Sequence, residues 1–441
     1  MTQEPRTIQR TYLVLLLGNT LAASLIWGIN TIFLLDAGLS NLEAFSANAF
    51  FTAGMVVFEV PTGIVADTAG RRVSFLWGTV TLSASTLLYV LLWQIEAPFA
   101  LWAIVSVLIG LGFTFFSGAV EAWLVDALTA TNFTGDLESV FSKGQVVTGI
   151  AMLTGSIAGG VIAQKVGLGA PFVLRGVILI LMFGVAFRLM HDIGFTPRRG
   201  KNLRAELKQL TMATLENGWR KPAVKWLMVE GIFIGGVGIY AFYALQPYLL
   251  ELYGDPEAYQ VAGIVAAIVA GAQIVGGIAG PKVRRLFHRR TSALIATAGI
   301  GVVALALIGT LRNFYAVVGL IVVWALVAAA RLPIRQTYLN GLIPSSERAS
   351  LLSFDSMMAS LGGVGIQPGL GRAADVWGYG PSYLVGAAIS TLSLPFLFLS
   401  RRQNAQADTI EVSDSPIESI APRTPGPIPV VEPPTNKPDA G

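Results

Sequence analysis

The chain of 441 residues contains no cysteine. Disulfides, thiolate metal sites and cysteine nucleophiles are therefore excluded. Histidine is nearly absent: His191 and His288 both fall in basic loop segments, which supports neither zinc chemistry nor a membrane-buried histidine base. Charged residues make up only 13%, about half of what a soluble domain uses to cover its surface. No Gly-x-x-x-x-Gly-Lys-Ser/Thr phosphate loop occurs, so ATP drive within the chain is not expected. No nucleophile–base or metal pattern appears either, and neither an enzyme nor a cofactor is expected. The formal charge of +4 is modest, and no nucleic-acid partner is expected. Met1 to Arg10 is polar and basic, without the short apolar core and small-residue site of a cleaved signal.

What the chain has in quantity is apolar surface, at 54% of residues and a mean hydropathy of +0.64. Its length suits roughly twelve spans of ~20 residues plus loops. Apolar runs occur at about Tyr12–Leu35, Ala44–Val65, Val73–Trp93, Phe99–Leu128, Phe141–Val166 and Pro171–Met190. After a polar interval come Ala223–Leu250, Tyr259–Gly280, Thr291–Leu311, Phe314–Tyr338, Leu351–Leu370 and Ser382–Ser400. The expected fold is an all-α integral membrane protein of twelve transmembrane helices in two pseudo-symmetric six-helix bundles, residues 12–191 and 222–402. The long fourth run is expected to continue past the membrane as a helix.

Basic residues collect at alternate turnings: Arg71 and Arg72, then Arg198 to Lys208, then Lys282 to Arg290, then Arg401 and Arg402. The opposite turnings carry Asp36, Glu43, Glu96, Glu251, Asp255 and Glu257. The positive-inside rule then places residues 1–11 and both termini in the cytoplasm of a multi-pass cell-membrane protein. Between the halves, residues 192–221 form a linker in which Leu203, Leu207, Leu210 and Thr214 recur at helical spacing beside Arg204 and Lys208. That pattern suits an amphipathic helix on the inner lipid headgroups, the alternative being a solvated connector. Residues 403–441 turn polar and then proline-rich, the composition of a disordered tail.

One charged stretch stands out, Gly63-Ile-Val-Ala-Asp67-Thr-Ala-Gly70-Arg71-Arg72. It aligns without gaps on Gly276-Gly-Ile-Ala-Gly280-Pro-Lys-Val-Arg-Arg285, keeping the first glycine, the alanine and both arginines but replacing Asp67 by Gly280. Each segment lies between the second and third runs of its half. The same spacing sets Glu138-Ser139 near Glu347-Arg348. Such six-plus-six repetition suits transporters that rock two bundles about a central site.

The Gly63-x-x-x-Asp67-x-x-Gly70-Arg71-Arg72 loop resembles the signature of the major facilitator superfamily, with Thr68 where that pattern usually has arginine. In the fifth run, Gly155-Ser-Ile-Ala-Gly159-Gly160 resembles the Gly-Pro-x-x-Gly-Gly motif of its drug/proton antiporter branch, with serine replacing proline. The resemblance implies a secondary transporter whose helices 1, 4, 7 and 10 line a central cavity.

The residues themselves suggest roles. Gly63 permits close helix approach, and Gly70 the tight turn that brings Asp67 to the next helix. With Arg71 pairing Asp126, and Arg72 beside it, the loop is expected to act as a conformational latch. The alternative is that the two arginines merely mark the inner side. Charges within the runs are few, because each costs ~2.5–3.5 kcal/mol near the bilayer centre: Glu59, Glu121, Arg175, Glu230, Arg331 and Arg335. Glu121 is expected to exchange a proton or meet a cationic substrate while Arg331 competes for it, with Glu59 and Glu230 as further coupling acids. The alternative for Glu121 and Arg331 is a permanent structural pair. Arg175 is expected to be structural. Substrate contacts are expected from Trp27, Asn30, Glu121, Tyr240, Tyr243, Gln246, Arg331 and Arg335, a mix of aromatics and polar groups suited to an amphipathic organic molecule. Gly155, Gly159 and Gly160, like Gly365 and Gly369, are expected to pack helices closely. The expected activity is proton-coupled export of a small organic molecule by a monomer. Import, organic-anion carriage through Arg331 and Arg335, or a transport-inactive receptor are the alternatives.

Overall fold

The computed structural model describes residues 4–197, 212, 219–343 and 348–410. The expected amphipathic segment, Glu347 and the proline-rich tail from residue 411 lie outside the described residues. The first half comprises α1 (Pro5–Trp27), α2 (Asn30–Asp36), α3 (Asn41–Thr68), α4 (Arg71–Gln94), α5 (Phe99–Thr114), α6 (Ala119–Ala130), α7 (Leu137–Val166) and α8 (Ala170–Leu189). The second comprises α9 (Pro222–Tyr253), α10 (Tyr259–Arg285), α11 (Arg290–Thr310), α12 (Phe314–Leu342), α13 (Arg348–Trp377), α14 (Tyr379–Thr391) and α15 (Ser393–Arg402).

Eleven of these stretches are long and apolar enough to cross a membrane, counting Phe99–Ala130 and Tyr379–Arg402 as one each. With α13, which carries Arg348, Asp355, Arg372 and Asp375, they make two sets of six. Local chemistry sets several starts. Ser40 and Glu43 form a reciprocal capping box at α3, and Asp136 accepts from the amides of Glu138 and Ser139 at 2.9 and 3.0 Å to start α7.

Three expected single helices are broken. The first run stops at Trp27 and resumes at Asn30. The fourth stops at Thr114 and resumes at Ala119, with Gly118 left-handed at φ 66°. A side chain at that φ is strained, so glycine marks the break. The twelfth run also divides, at Leu392.

Within each half, the spans pack around an aromatic and aliphatic core. In the first, Phe33 stacks on Phe172 at 4.0 Å between ring centres and meets Trp102 edge-on at 6.1 Å. The halves meet along α3 against α13 and α7 against α10. Gly160 and Gly263 form the second crossing: a Cβ on Gly160 would stand 2.9 Å from the Cα of Gly263, and one on Gly263 would stand 2.6 Å from the Ser156 carbonyl oxygen. Gly155 and Gly159 instead face α1, at Ser24 and Leu25. In the second half the matching close approach is Gly362 on the Ile232 carbonyl, not Gly365 or Gly369, which face open space.

The halves share one device that the sequence alignment does not reveal. After the last helix of the first half, Asp192 Oδ1 accepts from the Arg72 amide at 2.9 Å. After the last helix of the second, Asp408 accepts from the Thr291 amide at 2.7 Å and its hydroxyl at 2.8 Å. Each carboxylate thus sits on the N-terminus of the third span of its own half, where free amides and the helix dipole favour an anion. Burial pushes the Asp192 carboxyl above its ordinary range, against the pull of the Arg72 and Arg71 amides and charges. The expectation of a tail free from residue 403 is corrected here: residues 403–410 lie back on the bundle, with Asp408 and Ile410 buried and Arg290 donating to the Ala407 and Thr409 carbonyls.

Asp408→Ala should lower the thermal unfolding midpoint in detergent by the equivalent of about 1–2 kcal/mol, the usual worth of a lost helix cap. Asp408→Asn, which can still cap, should keep most of that stability.

Candidate functional site

A chamber of about 510 Å³ lies between the halves. Trp27, Phe51, Thr52 and Met55 line it from the first half, and Phe242, Tyr243, Trp324 and Arg331 from the second. A smaller chamber of about 260 Å³ adjoins it, sharing Trp27, Phe51 and Tyr243 and adding Asn30, Asn48, Tyr89 and Arg175. Trp27 is held by stacking on Phe242 at 4.2 Å. Mostly apolar walls with a few fixed polar groups suit a small amphipathic ligand.

The end of the molecule bearing the acidic turnings is sealed. Gln246 of α9 crosses to the break in the first span: its Oε1 accepts from the Thr31 amide at 2.8 Å, and its Nε2 donates to the Trp27 carbonyl at 2.8 Å. Those two backbone groups, four residues apart, would bond each other in an unbroken helix. A carboxamide from the opposite half has been inserted in their place. Nearby, Asp375 of α13 accepts from the Asn41 and Leu42 amides at 2.8 and 2.9 Å, capping α3 from across the interface. Tyr379 donates to Asn41 at 2.5 Å. At the opposite, basic end Ser117 and Glu121 are exposed.

Beside the larger chamber lies a buried charge cluster within the second half. Glu230 on α9 pairs with Arg331 of α12 and accepts from Arg335 at 3.3 Å. Arg335 also grips Asp355 of α13 through two bonds of 2.5 and 2.8 Å and donates to the Leu227 carbonyl. Two acids and two bases cancel, which is the condition under which such charges can be buried. Glu230 is fully buried, and only Arg331 reaches the chamber wall.

The expected partnership of Arg331 with Glu121 is corrected by this arrangement. Arg331 is held by Glu230 on a helix of its own half, whereas Glu121 sits exposed in the first turn of α6. Glu59 accepts from Ser117 at 3.1 Å, bracing the break in the fourth span. Gln246 and Tyr240 are also not ligand-facing: the former is used up by the first span, and the latter is buried against Phe45 and bonded to Ser382. Arg335 is enclosed by its two acids. Trp27, Asn30, Tyr243 and Arg331 do line the chambers.

The charged loop is tied to its own half. Arg71 pairs with Asp67 at 2.6 Å and lies 3.9 Å from Asp126, while Arg72 packs over the Phe187 ring at 4.9 Å. Gly70 has φ 118° and abuts Asp192, so no side chain fits there. Gly63 meets nothing within 4 Å of a built Cβ. In the second half α10 runs unbroken to Arg285, and a Cβ on Gly280 would meet Pro333 at 2.6 Å. There is no room for a counterpart to Asp67.

Asp355 and Asp375 escaped the sequence reading because they lie on the least apolar span, and Asp192 because it follows a helix end.

A family model described as Major Facilitator Superfamily matches residues 12–323. An uncharacterized MFS-type transporter of Methanocaldococcus jannaschii is 24% identical over 217 residues, covering 49% of this chain and 54% of the relative. The match thus spans about half the length of that curated relative. Among solved structures, the nucleoside transporter NupG superposes with a TM-score of 0.74 at 10% identity, covering 90% of this chain and 99% of that one. A bacterial homolog of the human lysosomal transporter Spinster, inward-facing and unoccupied, gives 0.71 at 15% identity over 93% and 99%. A D-xylose-proton symporter gives 0.65 at 15% identity over 92% and 99%. At these identities the likeness speaks for the fold alone.

Arg335→Met should be strongly destabilising, by about 3–5 kcal/mol, because it strands the buried Asp355 carboxylate and leaves Glu230 with Arg331 alone. Combining it with Asp355→Leu should recover a substantial part of the loss. A double-mutant cycle on unfolding midpoints in detergent measures both effects.

Proposed function

The chain belongs to the Major Facilitator Superfamily, a family of transporters rather than enzymes, and we propose that it is a secondary transporter exporting a small organic molecule from the cytoplasm in exchange for protons. The observation that carries this reading is the chamber between the halves, sealed at one end by Gln246 and Asp375 and faced by an arginine drawn from a buried charge cluster. A binding space enclosed by two similar bundles, with bonded contacts between them at one end, is what alternating access needs. The basic end is the cytoplasmic one by the positive-inside rule, with both termini there and the cell membrane as the site of action. Each chain holds a complete chamber, so the monomer suffices.

Coupling is assigned to Glu230 with Arg331. While Glu230 is ionised, Arg331 is held to the cluster at the chamber wall. A proton on Glu230 removes half of the negative charge holding the two arginines and releases Arg331 toward the chamber. Asp355 keeps Arg335 in place through the cycle, so one proton changes the charge seen by the ligand without dismantling the cluster. Glu121, exposed at the basic end, serves as an entry carboxylate. The loop Gly63–Arg72, braced by Asp126 and Asp192, acts as a hinge latch of the first half alone. The outward direction is supported by the likeness of Gly155–Gly160 to the antiporter motif.

In proteoliposomes, an imposed pH gradient should drive net flux of any ligand found by a thermal-shift screen, and Glu230→Gln should cut that flux at least tenfold. Ligand exchange without a gradient should survive in the variant. Gradient-driven flux at the wild-type rate in Glu230→Gln would overturn the coupling assignment.

A further inference from the structure

The charges buried in the second half cancel; Arg175 in the first half does not. It lies on α8 and is only 3% exposed. Among the described residues no carboxylate stands within ion-pair distance of it, and its Nε has no hydrogen-bond partner. Among the described residues it lies over the Phe113 ring, whose centre is 5.7 Å from the guanidinium carbon, with the Tyr243 and Tyr89 hydroxyls also near it. The ring contact is a cation–π approach near the limit of its range and uses none of the N–H donors. A buried cation with idle donors is costly, and a fold that keeps one has a counter-charge supplied from elsewhere.

Arg175 lines the smaller chamber at the sealed end, beside a second group in the same condition. Asn48 Oδ1 accepts from Asn30 Nδ2 at 3.1 Å, and the Asn48 Nδ2 is buried without an acceptor. The Tyr89 hydroxyl is engaged by Ser106 at 2.5 Å and offers no counter-charge. The chamber therefore presents idle donors, one of them charged, and lacks an anion. It opens into the larger, largely apolar chamber through Trp27, Phe51 and Tyr243.

We propose that the transported molecule is an amphipathic organic anion. Its acidic group, a carboxylate or phosphate, accepts from Arg175 and Asn48, and its apolar body lies among Trp27, Phe51 and Tyr243. The inference rests on the reading of the chamber as a transport site. It also moves anion recognition away from Arg331 and Arg335, whose charges are already met by Glu230 and Asp355. An inorganic anion would satisfy Arg175 but leave the apolar walls unfilled, so an organic body is part of the proposal.

The test uses the purified full chain in detergent without any gradient. Phenylalkyl carboxylates with two- to six-carbon chains are compared with their amides, with phenylalkylamines and with phenyl phosphate, by thermal shift and tryptophan fluorescence. At least one acid should bind tenfold or more tightly than its own amide, and Arg175→Met should abolish that preference while Arg175→Lys keeps part of it. Tighter binding of phenyl phosphate than of the carboxylates would identify the oxyanion as a phosphate ester. Without ligand, Arg175→Met should raise the unfolding midpoint, since it removes an uncompensated charge. A lowered midpoint in Arg175→Met would make the residue structural and overturn the proposal. Preference for amides or amines, or no binding by any member of the set, would also overturn it. Because these readouts involve no gradient, they can fail while gradient-driven flux through Glu230 stands.

Discussion

The structure depends on a single inserted side chain. In lipid, a broken helix leaves a backbone carbonyl and amide that must be satisfied from within the protein. The first span is broken after Trp27, and Gln246 supplies both missing partners from the opposite half. The same two hydrogen bonds therefore complete a helix and close one end of the chamber. If the halves part there, the first span must find other partners for Trp27 and Thr31 or close up as a continuous helix. That gives the break two defined states, which is what a gate requires. Asp375 adds a second such link, because α3 loses the cap on its first amides when α13 withdraws.

Charge is distributed by the same logic. The second half keeps its intramembrane charges in a balanced set, Glu230 and Asp355 against Arg331 and Arg335. The first half keeps Arg175 alone at the sealed end of the chamber. A pseudo-symmetric fold thus carries an asymmetric division of labour. The loop repeat shows it too, since Asp67 is replaced by a glycine that Pro333 leaves no room to enlarge. What both halves retain is mechanical: Asp192 and Asp408 each fasten the end of a bundle to the start of its third span.

Much of the fold was legible because lipid allows few solutions. Apolar run length gave the spans, and the loop repeat at Gly63 and Gly276 gave the two halves. The site was less legible because it depends on which helices meet and where they break. Nothing in the run Tyr12–Leu35 announces that Trp27 and Thr31 would bond to Gln246. Local spacing likewise cannot say whether Arg331 turns toward Glu121 or Glu230, since that choice is made by packing of α9 against α12. Arg175 looked structural for a related reason, as its lack of a partner is a fact about its neighbours and not about its own segment.

The absence of native cysteine makes the central claim directly measurable, because spin labels can be placed at will. One cysteine pair replaces exposed Gln94 and Tyr315 at the acidic end, and another replaces Ala130 and Leu286 at the basic end. Double electron–electron resonance then reads both distances in the wild-type background and with Gln246→Ala. If Gln246 holds the halves closed at the acidic end, its removal should lengthen the first distance and shorten the second. Unchanged distances, or both lengthening together, would contradict the account.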